Sequence, residues 1–269
     1  MNHLHRDLAP VNETAWGEIE HEAAQALKHF LTARKLVDFD GPHGWKRSAL
    51  DLGRVTDPQQ VEVEGVESRM RLVQPLAELR TPFTLARAEI DAAERGAPDA
   101  DWDPVIDAAR RVALAEDRMV FRGLPSVGVR GIVETSPHDP IPISDDYDHY
   151  PNHVAAAIET LKRAGVVGPY AIALGPRCYT GVIETTQHGG YPLLSHLRLI
   201  AEGPVLWAPA VEGAIVMSQR GGDFELVVGQ DLSIGYLTHD AESVTLYLEE
   251  SLTFRAAGPE AAIALTYGD

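Results

Sequence analysis

The sequence predicts an α+β fold that is ordered throughout. It has an amphipathic helix near the amino terminus, a charge-rich segment alternating with period two, a long helix in the middle, and a carboxyl-terminal stretch of strand-like runs. Apolar residues make up 45% and charged residues 23% of the 269, ordinary globular usage. No Ser/Gly-rich or Pro-rich block separates the halves, so one elaborated domain or two small lobes both fit this length.

The first helix is expected from Thr14, with Glu18 in a position that the helix dipole favours. Trp16, Ile19, Ala23, Leu27, Phe30 and Leu31 recur at helical spacing against Glu18, Glu22, Gln25 and Lys28, and the helix should end near Asp38 and the Gly41-Pro42 break. From Ala49 to Leu85 the period changes to two. Val61, Val63, Met70, Leu72 and Leu76 alternate with charged residues, and Asp57-Pro58-Gln59-Gln60 reads as the tip of a long hairpin. Such an arm buries little against its own domain.

Helical spacing resumes over Leu85 to Glu94 and stops at Gly96-Ala97-Pro98. Asp103-Pro104 then supplies a cap and a first-turn proline for the strongest helix in the chain, closed by Gly123. Residues 131–150 read as loop. A helix from about His153 to Ala164, a strand at Tyr170 to Leu174 and a helix around Tyr179 to Glu184 predict a small α/β lobe, followed by strands near 205–208 and 214–218. Gly221-Gly222-Asp223 reads as a hairpin turn. Five strands complete the chain, near 224–228, 232–237, 244–248, 252–256 and 261–267.

Chemical motifs are scarce. There is no phosphate-cradling glycine loop, nucleophile elbow or paired-cysteine metal motif, so no catalytic residue, metal or cofactor is assigned. Asp145, Asp146, Asp148, His149 and His153 could hold a divalent ion, but their spacing matches no dedicated site, and a solvated acidic loop capping the next helix at Asn152 explains them more simply. His188 likewise reads as an exposed loop residue, and the lone Cys178 as an inert thiol, buried or half-buried. A formal charge of -17 argues against nucleic acid as a partner. The amino terminus lacks the apolar core of a signal peptide and no run approaches a membrane span, so a cytoplasmic product without a membrane partner is expected.

A set of widely spaced motifs resembles the encapsulin shell proteins, also called the linocin-type bacteriocin family. They are Leu8-Ala9-Pro10, Trp16, Glu18-Ile19, Arg34-Lys35 leading to Val37-Asp38, and Gly41-Pro42 with Gly44-Trp45. Glu78-Leu79-Arg80, Phe83-Thr84-Leu85, Glu94-Arg95-Gly96, Ala115-Glu116-Asp117, Phe121-Arg122-Gly123 and Gly168-Pro169-Tyr170 continue in the family's order. Arg220-Gly221-Gly222-Asp223 and residues 229–236, Gly-Gln-Asp-Leu-Ser-Ile-Gly-Tyr, resemble its most recognisable signature.

The resemblance implies the tailed-bacteriophage major-capsid-protein fold, or Hong Kong phage capsid fold. Residues 1–48 would be an inner-face helix and the start of the peripheral domain, 49–84 the extended loop, 85–131 the peripheral domain with its spine helix, 132–219 the axial domain, and 220–269 the peripheral β layer. It further implies a non-enzymatic shell of about sixty copies, a cytoplasmic nanocompartment with itself and a cargo enzyme as partners. The cargo would be a dye-decolorizing peroxidase or a ferritin-like protein. A cargo tail would dock at Leu27, Leu31, Arg34, Asp38 and Phe39 on one side and Asp231, Leu232 and Ile234 on the other. Phe39 replaces a smaller aliphatic residue of the family. Gln187, His188, Gly189, Gly190 and Tyr191 would form the fivefold pore loop. The alternative is a bacteriocin-like or hydrolytic soluble protein, which needs a catalytic group that the sequence does not display.

Overall fold

The computed structural model describes residues 3–187 and 190–268, Gln187 by its backbone alone. Its main elements, in chain order, are α1 (Glu13–Phe30), β1 (Asp38–Asp40), β2 (Ala49–Val55), β3 (Arg71–Pro75), β4 (Ala77–Ala86), α2 (Arg87–Glu94), α3 (Asp103–Arg122), β5 (Ile141–Ile143), α4 (Tyr150–Arg163), β6 (Tyr170–Leu174), α5 (Pro176–Glu184), α6 (Leu193–Ala201), β7 (Val205–Trp207), β8 (Ala214–Ser218), β9 (Phe224–Val228), β10 (Ser233–His239), β11 (Ser243–Ala256) and β12 (Ala262–Tyr267).

Asn12 begins α1 by accepting the Ala15 amide at 2.8 Å, so the cap precedes the expected Thr14. The helix buries Ala15, Ile19, Ala23 and Ala26 and stops at Phe30, well short of Asp38. Its early end has a local cause. Leu31 turns to an extended backbone, and the Asp117 carboxylate on α3 captures the next amides, Thr32 at 3.0 Å and Ala33 at 3.0 Å.

The arm is shorter than the sequence suggested. Antiparallel β2 and β3 pair from Ala49↔Pro75 to Val55↔Arg71, with an irregularity at Gly53, and Gln59–Gln60 pairs with Glu67–Ser68 beyond them. Asp57-Pro58-Gln59-Gln60 is therefore not the tip. The chain reverses at 61–66, so Val63 stands in the turn, 61% exposed, rather than in a strand. Residues 77–84, expected in the arm, belong to β4 instead. There all ten residues of β4 pair with β11 and Phe83 and Leu85 are buried, and that burial outweighs continued pairing within the arm.

The first large sheet is built on β11. One edge of β11 carries β4, and the other carries β10 and then β9, with β1 outside β9. β11 is one fourteen-residue strand, although the sequence suggested a break at Glu249-Glu250-Ser251. The second sheet has the order β7-β6-β8-β12-β5. β12 therefore leaves the carboxyl-terminal β layer in which it was expected. Gly221-Gly222, both at positive φ, join β8 in the second sheet to β9 in the first and do not form a hairpin.

The buried residues form two cores, the larger of which takes in the second sheet together with Phe224, Leu226, Leu252 and Phe254 of the first. Ile19, Ala23, Ile90, Val105, Val112, Ile234 and Leu246 belong to one, and Phe121, Tyr150, Ile172, Leu193, Val216 and Leu265 to the other. Helix α3 runs through both. Pro104 opens it and Gly123, at φ 95°, closes it, while Trp102 rather than Asp103 occupies the cap position, its Nε1 donating to Glu18 at 2.9 Å. Residues 131–150, expected as loop, contain a helical turn at Ile132–Thr135 and β5. Helix α4 starts at Tyr150, so Asn152 lies inside it. Helix α6, which the sequence reading missed, buries Leu193, Leu197 and Ala201 at four-residue spacing.

Candidate functional site

Glu116 and Asp117 lie where α3 passes from one core to the other, and neither is accessible to solvent. A buried charge requires a partner, and the chain supplies one from the turn after α1. Arg34 donates from Nε to Glu116 at 2.8 Å, from Nη2 to Glu116 at 2.6 Å and to Glu250 at 3.0 Å, and from Nη1 to Asp231 at 2.8 Å. Four separate elements are tied by one guanidinium.

Burial opposes the charge of Arg34, but Glu116, Glu250 and Asp231 more than offset it and hold the guanidinium above its ordinary range. Burial, with Glu116 alongside, pushes the Glu250 carboxyl well above the usual carboxylate range. Glu250 Oε1 is buried and has no hydrogen-bond partner. Burial also raises Asp117, to about 7, against the lowering effect of the Ala33 and Thr32 amides.

Around this knot lie the residues singled out from the sequence. Phe39 on β1 is 39% exposed, its ring 5.1 Å from the Arg34 guanidinium carbon. The Asp231 side chain is 41% exposed and also accepts the Leu232 amide at 2.8 Å. Leu27 and Leu232 are half-buried against the core that contains Ile234. Leu31 is buried at the end of α1, its amide donating to Leu27 at 2.9 Å. Asp38 is exposed and accepts the Gly222 amide at 2.5 Å.

The structure thus joins Arg34, Asp231 and Phe39 directly, and Leu27, Leu232 and Ile234 through one core, while Asp38 is turned to the Gly221-Gly222 crossover. Sequence reasoning missed Glu116 and Glu250. The available signals were an acidic pair on the apolar face of α3 and an acidic pair inside the apolar run of β11. An exposed Phe, half-buried leucines and an acidic rim can hold an extended peptide. Arg34 is engaged by three carboxylates and acts as a scaffold for that surface.

The residues expected in a pore loop are divided by what the structure describes. Gln187 pairs with Tyr191 across a two-residue ladder, Gly190 has φ 77° and Tyr191 is 50% exposed, whereas His188 and Gly189 lie outside the described residues. Among the described residues no cluster of His, Cys, Asp and Glu could hold a metal. Asp145 is instead held by Arg177, Nε to Oδ1 at 2.9 Å, and His149 lies 3.4 Å from Asp146. Cys178 is buried against the hydroxyls of Tyr150 at 3.0 Å and Tyr267 at 3.2 Å. A cavity of about 590 Å³ between the end of α3 and the start of α5, lined by Arg122, Arg177 and Tyr267, shares no residue with the groove. Among the described residues no helix is long and apolar enough to cross a membrane.

Comparison with known proteins agrees along nearly the whole chain. A virus-like particle protein from Pyrococcus furiosus superposes with a TM-score of 0.65 over 93% of this chain and 99% of that one, at 17% identity. The capsid protein of an empty GTA particle superposes with a TM-score of 0.55 over 89% of this chain and 90% of that one, at 14% identity. The fold is that of the tailed-phage capsid proteins. The type 1 encapsulin shell protein of Rhodospirillum rubrum is 53% identical over 270 residues, 98% of this chain and 96% of the relative. That of Mycobacterium tuberculosis is 44% identical over 267 residues, 99% of this chain and all of the relative. Residues 1–253 match the family model described as encapsulating protein for peroxidase, and the chain belongs to this family, the encapsulin shell proteins.

Proposed function

We propose that the chain assembles with copies of itself into a closed icosahedral shell, of about sixty protomers, that encloses a cargo enzyme. The arm at 49–75 carries this reading. Val55, Val63, Met70 and Val73 are 46–65% exposed, more apolar surface than a two-stranded ribbon leaves to water when nothing covers it. A neighbouring protomer is the cover that this fold offers, as the resemblance implied for its extended loop. The ladder around 187–191 is assigned to the fivefold pore, where ions and small molecules pass.

The cargo's carboxyl-terminal tail docks, in this reading, against Phe39, Leu27, Leu232 and Asp231, with Arg34 holding the surface in shape. The family's description names peroxidase, which supports a dye-decolorizing peroxidase as cargo, with a ferritin-like protein as the other class. Many weak sites facing one multimeric cargo suffice for capture. The test is to co-express the chain with a fluorescent protein bearing or lacking the tail of a peroxidase from the same genome. Tail-dependent co-purification in assembled particles supports docking, and equal capture of both reporters refutes it.

A further inference from the structure

The first described residues form a strap that the shell reading does not use. Leu4 is buried, and its carbonyl accepts the Tyr236 amide at 2.8 Å, on the edge of β10 away from β11. His5 then turns with φ 50°, and Arg6 crosses the Trp16 ring at 4.1 Å to pair with Glu20 at 2.5 Å. The strap therefore covers the free edge of the strand that carries Ile234.

At its origin lies His3. Its ring stacks on Trp45 at 3.9 Å and 12°, and its Nε2 faces Glu249 Oε1 at 3.7 Å. Both of these atoms are buried and neither has a hydrogen-bond partner. The other carboxylate oxygen of Glu249 is already held by Arg80, which lies over Tyr247. Glu250, the next residue along the strand, points to the opposite face, toward Arg34. Arg47, two residues past Trp45 in the chain, also has a buried Nε without a hydrogen-bond partner.

We infer that His3 and Glu249 form a pH-operated latch that seats the amino-terminal strap on the edge of β10. With neutral imidazole, two buried polar atoms face each other unsatisfied, which weakens the strap. Protonation turns the same contact into an ion pair and adds a cation over the face of Trp45. The sign follows directly: the strap is held at acidic pH and loosens as pH rises. Loosening uncovers β10 backbone beside the candidate groove, so strap seating and peptide docking share a strand. The latch itself stands without the docking reading.

The test is hydrogen exchange of the intact protein at pH 5.5 and pH 8, corrected for intrinsic rates, comparing the parent chain with His3→Gln and His3→Lys. Protection of peptides covering 3–8 and 233–239 should be roughly five- to tenfold greater at pH 5.5 in the parent, as one half-buried ion pair implies. His3→Gln should show the weaker protection at both pH values, and His3→Lys the stronger one. Equal protection of the parent at both pH values overturns the latch. So does an unchanged pH dependence in His3→Gln.

Discussion

Removing Arg34 is the most informative single change. Glu116 and Glu250 have no solvent exposure, and the Arg34 guanidinium donates to both. Arg34→Ala strands them, and breaking a buried pair by deleting one partner costs about 3–5 kcal/mol. For a chain of this size that lowers the midpoint of thermal unfolding by roughly 10 °C. The loss should be larger at pH 8 than at pH 5, because Glu250, whose carboxyl burial already raises, loses in Arg34 the cation that lowers it. The raised proton affinity of Glu250 in the folded variant contributes stability at low pH that is lost as pH rises. Calorimetry on Arg34→Ala, and on Arg34→Met combined with Glu116→Gln and Glu250→Gln, measures both effects, and the triple variant should recover most of the loss. An Arg34→Ala protein melting within about 2 °C of the parent would refute the reasoning, since every stated magnitude rests on uncompensated burial.

Asp117, raised to about 7 by burial, destabilises the fold when ionised. Its contribution is fully favourable below the ordinary carboxylate range, near 4, and is lost as pH climbs to about 7, by about 4 kcal/mol in all. Asp117→Asn keeps an acceptor for the Thr32 and Ala33 amides and should flatten that part of the stability profile, and an unchanged slope in denaturant titrations would contradict it. Replacing 56–70 with a two-residue turn, at the point where the Thr56 amide meets the Met70 carbonyl at 2.9 Å, should leave a folded protomer that no longer assembles, read by circular dichroism and light scattering. Leu232→Asp with Phe39→Asp, both at accessible positions, should cut cargo loading roughly tenfold at normal particle yield, and full loading would remove the groove from the docking account.

Much of the fold was legible because its signals are local. Pro104 and Gly123 bracket α3, and the apolar run Tyr170–Leu174 is a strand at those residues. The illegible parts depend on partners distant in sequence. Glu249 and Glu250 look like a strand break until Arg80 and Arg34 arrive from 169 and 216 residues away. The end of α1 is set by Asp117, 85 residues beyond Thr32, rather than by a local stop signal. The arm tip was misplaced because Asp57-Pro58 is a strong turn signal, while the reversal itself uses Gly65 at φ 76°. At the candidate groove the sequence marked the rim residues, but the carboxylates that fix Arg34 lay inside otherwise apolar elements, where an acid carries no sign of its partner.

The central claim is that this chain closes into a shell, and the mass of the purified native particle tests it most directly. Native mass spectrometry, with a reconstruction by cryo-microscopy, should give about 1.8 MDa, the mass of roughly sixty 29.3 kDa chains, with each arm at 49–75 lying on a neighbour. A monomer or dimer with the arm in solvent would contradict the account.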